Sequence, residues 1–165
     1  MTGPPDVVVV GMGNVYRGDD GVGLAVAERI REAAPPGVRV LECEQEPTRL
    51  LDAWQGAEAV VVVDAVAPMR DPGMLHRYDA TGEPLPARVF RSSTHAFGVG
   101  DAIEVGRALG RLPAHVIVYG IEGQSFDLSG GLSAPVAAAV EPTAAAVLAD
   151  VQRFEREETS CTSGR

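Results

Sequence analysis

The chain contains no lysine. Its 14 basic residues are all arginine, set against 23 Asp and Glu, for a formal net charge of −9 at pH 7. The absence excludes Schiff-base chemistry, pyridoxal-lysine enzymes and any phosphate-binding P-loop that relies on its lysine. A biased base composition is the plain alternative origin of an all-arginine set. The excess of acid argues against nucleic acid or an anionic membrane surface as partner, because both require basic patches. Cysteine is scarce: Cys43 and Cys161 are too few for a disulfide framework and do not form a CxxC metal motif. Residues 1–6 lack a basic region and a cleavage site, and no stretch is expected to approach the ~20 apolar residues of a membrane span. A cytoplasmic protein is therefore expected. With 165 residues, 45% of them hydrophobic, the chain suits one compact domain, read as residues 1–155 with a flexible polar tail over 156–165.

What is present is an alternation of strand and helix signals. Val7–Val10 is a β-branched run that reads as a buried parallel strand ending at Gly11. Val22, Leu24, Ala27 and Ile30 mark an amphipathic helix, with Asp19 and Asp20 suited to its positive first turn. Val38–Leu41 and Ala59–Val63 read as the next strands, separated by a short helix over Thr48–Trp54. This βαβαβ order predicts a doubly wound α/β sheet. The pattern then breaks. The few residues between Asp64 and Met74, with Pro68 and the turn Asp71–Pro72–Gly73, are too short for a parallel crossover, so Met74–Tyr78 is predicted antiparallel. An irregular segment over 79–93, a helix over 96–109, a fifth strand over 116–121, a glycine-rich loop over 123–131 and a helix over 133–154 complete the reading. Pro142 is expected to bend that last helix.

Ligands of open α/β sheets bind beyond the carboxyl ends of the parallel strands. The topology therefore predicts that Asn14, Asp19, Asp20, Glu42, Asp64, His95 and Glu122 share one edge. The segment Gly11–Gly21 has a strand-to-helix context, but its frame is wrong for nucleotides. Tyr16 stands where a dinucleotide fingerprint needs glycine, and Asp19–Asp20 stand where a Walker frame at Gly13-x4-Gly18 needs Lys-Ser/Thr. Two carboxylates there would repel phosphate. The bland alternative is a glycine-rich turn for close helix–sheet packing with an Asp cap. Asp64 suits a metal ligand, a general base or a loop hydrogen-bonder, and His95 a ligand or a helix cap. Two carboxylates and an imidazole from three separate loops would make an open site for zinc, nickel or iron. There is no HExxH and no GxSxG. His76 and His115 read as structural, and Cys43 as a buried core thiol.

Three segments together resemble the hydrogenase maturation proteases: Gly11-x-Gly13–Asn14-x5-Asp20-x2-Gly23, Val63–Asp64–Ala65 and Ser93–Thr94–His95-x2-Gly98. The order and spacing match across nearly the whole chain. The resemblance implies a three-layer α/β/α sandwich of the phosphorylase/hydrolase-like kind, with a mixed five-stranded sheet and one antiparallel strand. It implies an endopeptidase that removes a short C-terminal peptide from the nickel-loaded large-subunit precursor of a nickel–iron hydrogenase. Asp20, Asp64 and His95 would be the metal-contacting and catalytic residues, with Asn14, Asp19, Glu42 and Glu44 binding substrate. The nickel would arrive with the substrate, without a resident cofactor, and the enzyme would act as a monomer. Two departures stand out: Glu42–Thr48 replaces a Gly-Gly-Thr stretch common in the family, and Asp20 stands where many members have Glu. A non-catalytic nickel chaperone and a small-ligand-binding α/β domain are the competing functions.

Overall fold

The computed structural model describes residues 6–44, 46–90, 97–128 and 130–162. Five strands form one mixed sheet: β1 (Val7–Gly13), β2 (Val38–Glu44), β3 (Ala59–Val66), β4 (Leu75–Asp79) and β5 (His115–Glu122). Their spatial order is β2-β1-β3-β5-β4. All neighbours are parallel except β4, which runs antiparallel to β5, as the short connection after β3 predicts.

The valine runs of β1 and β3 are buried on both faces, because helices cover both. On one side α1 (Val22–Ala33) and α4 (Ala134–Thr162) pack on Val7, Val9, Val61, Ile117 and Ile121. On the other, α2 (Leu50–Ala53) and α3 (Val99–Ala108) cover Val8, Val10, Val60, Val62 and Val118. Trp54 closes this second layer and donates its indole N–H to the Arg111 carbonyl at 3.0 Å. Arg107 ties the irregular segment after β4 to α3 by donating to the carbonyls of Ala80 and Thr81, each at 2.8 Å.

Several boundaries differ from those read in the sequence. β1 runs on to Gly13 and β2 to Glu44, pairing Met12 with Cys43 and Gly13 with Glu44. β3 extends past Asp64 because β5 still offers it partners, Gly120, Ile121 and Glu122. The neighbouring ladder, not the end of the apolar run, decides where these strands stop. Asp64 and Glu42 are thus strand residues, not loop residues. His115 begins β5, with its ring stacked on Phe154 at 5.0 Å.

At the C-terminus, residues 156–162 continue α4, where the sequence predicts a flexible tail. The helix formers Glu155–Glu158 prolong a helix already anchored by buried Val147, Val151 and Phe154. α4 also corrects the expectation that no stretch comes near a membrane span. By length and composition it would pass, with a mean hydropathy of 1.3 over an 18-residue window. Its alanines supply that hydropathy, while Val136, Ala139, Val147 and Val151 lie in the core between α4 and the sheet.

The helix that matters for the site is α1, and glycine sets its position. A Cβ on Gly23 would lie 2.2 Å from the Met12 carbonyl oxygen and 2.5 Å from that of Val63. A Cβ on Gly11 would lie 2.3 Å from the Gly23 carbonyl oxygen. The backbone of α1 therefore rests directly on β1 and β3, as the close-packing reading of the glycine-rich turn requires. Gly23→Ala should push α1 off the sheet and cost about 3 kcal/mol in urea unfolding.

Candidate active site

The loop after β1 is folded by its own polar groups. Asn14 Oδ1 accepts from the Tyr16 amide at 2.9 Å, and its carbonyl accepts from the Arg17 amide at 3.2 Å. The Asn14 amide donates to the Asp20 carbonyl at 3.3 Å, and the Asp20 amide to the Arg17 carbonyl at 3.1 Å. Gly13 makes this return possible: its φ is +144°, and a Cβ there would lie 1.9 Å from the Asp20 carbonyl oxygen. A 3-10 turn, Gly18–Gly21, then leads into α1. Asn14, expected to bind substrate, has its side-chain oxygen engaged in shaping this loop.

Asp19 and Asp20 are adjacent but point to different work. Asp19 is fully buried. One carboxylate oxygen accepts from the amides of Gln124 and Ser125 and from the Ser133 hydroxyl at 2.7, 2.9 and 2.8 Å. The other accepts from the Ser133 amide at 2.7 Å. Burial pushes the Asp19 carboxyl up, but these hydrogen bonds outweigh it and hold it below its ordinary value. Asp19, expected to bind substrate, thus has both carboxylate oxygens engaged in anchoring the loop after β5.

Asp20, one residue on, faces β3. There Asp64 accepts from the Ala65 amide at 2.8 Å. The Asp64 carboxyl is pushed up to about 7, first by burial and second by the negative charge of Asp20, with the Ala65 hydrogen bond pulling the other way. The two carboxylates expected at one edge are near enough for the charge of Asp20 to act on Asp64. The close approach of α1 at Gly23, against Met12 and Val63, brings their chain segments together. Such a pair can take up a divalent cation, which would relieve its repulsion, or hold a proton near neutral pH for transfer. Among the described residues no three His, Cys, Asp or Glu side chains converge to hold a metal. The predicted third member, His95, lies outside the described residues.

Glu122, also expected at this edge, is buried and committed. It accepts from the amides of Arg70 and Asp71 at 3.2 and 2.8 Å, and its other oxygen lies 2.9 Å from His76 Nε2. His76 is structural, as its mid-strand position predicts, but sequence reasoning missed its partner. These contacts fasten the β3–β4 connection, and they hold Glu122 below its ordinary pKa against the opposing effect of burial. Cys43 is buried, as expected of a core thiol.

Glu42 and Glu44 stand apart from the aspartate pair. Both are exposed on β2 and line a cleft of about 530 Å³ with Val15, Gly18, Gly21 and Leu24. Glu28 and Arg31 of α1 line it too, and the sequence reading missed them. Their signal was the spacing of Leu24, Glu28 and Arg31, which puts all three on one helical face.

The model of the hydrogenase maturation protease family matches residues 24–150, a span that begins just after Asp20 and includes Asp64. The hydrogenase expression/formation protein HupM of Azotobacter chroococcum is 30% identical over 153 residues, covering 90% of this chain and 73% of that protein. The solved structure of the [NiFe] hydrogenase maturation protease HycI from Thermococcus kodakarensis superposes with a TM-score of 0.71 at 25% identity, covering 92% of this chain and 95% of that one. The hydrogenase maturating endopeptidase HybD from Escherichia coli shares the fold, with a TM-score of 0.74 at 21% identity over 89% of this chain and 92% of that one.

Proposed function

The chain belongs to the hydrogenase maturation protease family, and we propose that it removes a short C-terminal peptide from the large-subunit precursor of a nickel–iron hydrogenase once nickel is in place. Asp20, Asp64 and His95 engage the nickel that the precursor carries, so the enzyme needs no resident metal. This reading makes the protein a cytoplasmic monomer whose partner is the precursor. The observation that supports it most is the action of the Asp20 charge on Asp64, with Asp64 pushed up to about 7. Two carboxylates that repel each other in the free protein are a natural receptor for a cation delivered from outside.

Hydrolysis of an amide requires a water to lose a proton as it attacks the carbonyl carbon, and the departing amine to gain one. A carboxyl that titrates near 7 exists in both forms at physiological pH and suits such transfer. The nickel is already held by the precursor, so its part here is to anchor the cleavage segment against the aspartates. An oxygen of the Asp64 carboxylate that does not contact the metal then receives the proton of water and passes it to the leaving nitrogen.

The test is intact-mass measurement of a precursor incubated with the protein, with and without nickel. The nickel-loaded form should lose its C-terminal peptide and the nickel-free form should not. Equal cleavage of both would overturn the recognition of nickel. Tight binding of free nickel, with no cleavage of a nickel-loaded precursor, would favour a chaperone instead.

A further inference from the structure

We propose that the cleft between α1 and β2 is a subsite for a basic stretch of the precursor polypeptide, next to the segment that is cut. The inference rests on the function proposed above and specifies what that substrate must look like. The cleft has a volume of about 530 Å³, within the range that holds a ligand or a few side chains. Its apolar surface comes from Val15, Leu24, Ala25 and Leu132, and its charge from Glu28, Glu42, Glu44 and Arg31.

The charge is lopsided. Arg31 pairs with Glu42 at 3.4 Å, and both side chains are well exposed, so the pair is weak and easily exchanged. Among the described residues, Glu28 and Glu44 have no hydrogen-bond or ion-pair partner. An occupant that places arginine or lysine against these two carboxylates, and aliphatic carbons over Leu24 and Ala25, matches both halves of the lining. An acidic or phosphorylated occupant does not.

Gly18 and Gly21 of the turn that carries Asp20 line the cleft, so one short segment of chain links it to the candidate active site, although neither Asp20 nor Asp64 lines it. β2 is also an edge strand of the sheet. Among the described residues no strand pairs with its outer backbone groups, and a sheet edge of this kind can take an extended, strand-like peptide. Glu42 and Glu44 project on the α1 side of that edge, two residues apart on one face of the strand.

The test compares the wild type with the double variant Glu28→Gln/Glu44→Gln on a nickel-loaded precursor. Both residues are exposed, and thermal melts should be unchanged. KM should rise about tenfold with kcat within about twofold, because two rim charges govern association more than chemistry. Added salt should raise the wild-type KM and affect the variant less. A precursor whose basic residues around the cut are replaced by glutamine should show the same rise with the wild type, and no further rise with the variant. An unchanged KM in the variant, with the wild type cleaving normally, overturns the assignment of the cleft. Failure of the wild type to cleave the nickel-loaded precursor overturns the protease reading itself, and the cleft assignment falls with it.

Discussion

Asp64→Asn should abolish cleavage of the precursor and at the same time make the free protein more stable. The two effects have one cause. Burial and the charge of Asp20 raise the Asp64 carboxyl from an ordinary 3.8 to about 7. The folded state therefore holds this proton more tightly than the unfolded chain does. Between about pH 4 and 7 the native protein binds more protons than the unfolded one, so stability falls as pH rises through that window, and the penalty is complete above 7. Each pKa unit corresponds to about 1.4 kcal/mol, which sets an upper limit of ~4 kcal/mol. Asp64 keeps some contact with solvent, and a gain of about 2 kcal/mol in the asparagine variant is the expected size. Urea unfolding at pH 8 should show it, and at pH 4 the variant and wild type should be nearly equal.

Cleavage should fall by about a thousandfold, the range for loss of a positioned acid–base group. Nickel sharpens the contrast, because a cation between the aspartates favours their ionised forms. It should stabilise the wild type and leave Asp64→Asn unmoved. A variant that cleaves at the normal rate, or that is no more stable at pH 8, would contradict the reading of this carboxylate as strained for function.

How much of this was legible in the sequence differs from residue to residue. The valine runs and the short Asp64–Met74 connection were enough for the parallel core and for the reversed β4, because both follow from burial and chain reach. The convergence of Asp20 and Asp64 was legible too, since strand-end positions in such a sheet are set by topology. What the sequence hides is which acid does what. Asp19 and Asp20 are chemically identical neighbours, and only the path of the 3-10 turn sends one into the protein and the other toward β3. Glu122 likewise reads as one more edge carboxylate until the amides of Arg70 and Asp71 turn toward it. Partners of this kind lie about fifty residues away in the chain, beyond the reach of any local pattern. The net charge of −9 is therefore divided. Asp19 and Glu122 are structural, Asp20 and Asp64 face each other, and Glu28, Glu42 and Glu44 rim a cleft.

Asp19→Ala should give the largest loss of stability of any single acid-to-alanine change. The substitution deletes an acceptor that satisfies three backbone amides and one hydroxyl from residues 124–133. Those amides are left at a buried position without a partner, at about 1–3 kcal/mol for each group that water cannot reach. A loss of about 4 kcal/mol is expected by urea unfolding. Asp19→Asn should recover only part of it, because its amide nitrogen turns a donor toward a donor. The pH dependence has the opposite sign to that of Asp64. The Asp19 carboxyl lies below its unfolded value of 3.8, so its contribution is present above that pH and is lost as the pH falls through the folded value. Acid should therefore unfold the wild type partly through Asp19, and the alanine variant should lack that component. Asp20→Asn, one residue along, should behave in reverse. It removes a charge that raises the Asp64 carboxyl, so that carboxyl should return toward its ordinary value while cleavage is lost. If Asp19→Ala melted like the wild type, or Asp20→Asn unfolded the protein, the division of labour between these neighbours would be wrong. The peptide bond between residues 19 and 20 thus separates a carboxylate that holds the fold from one whose charge acts on Asp64.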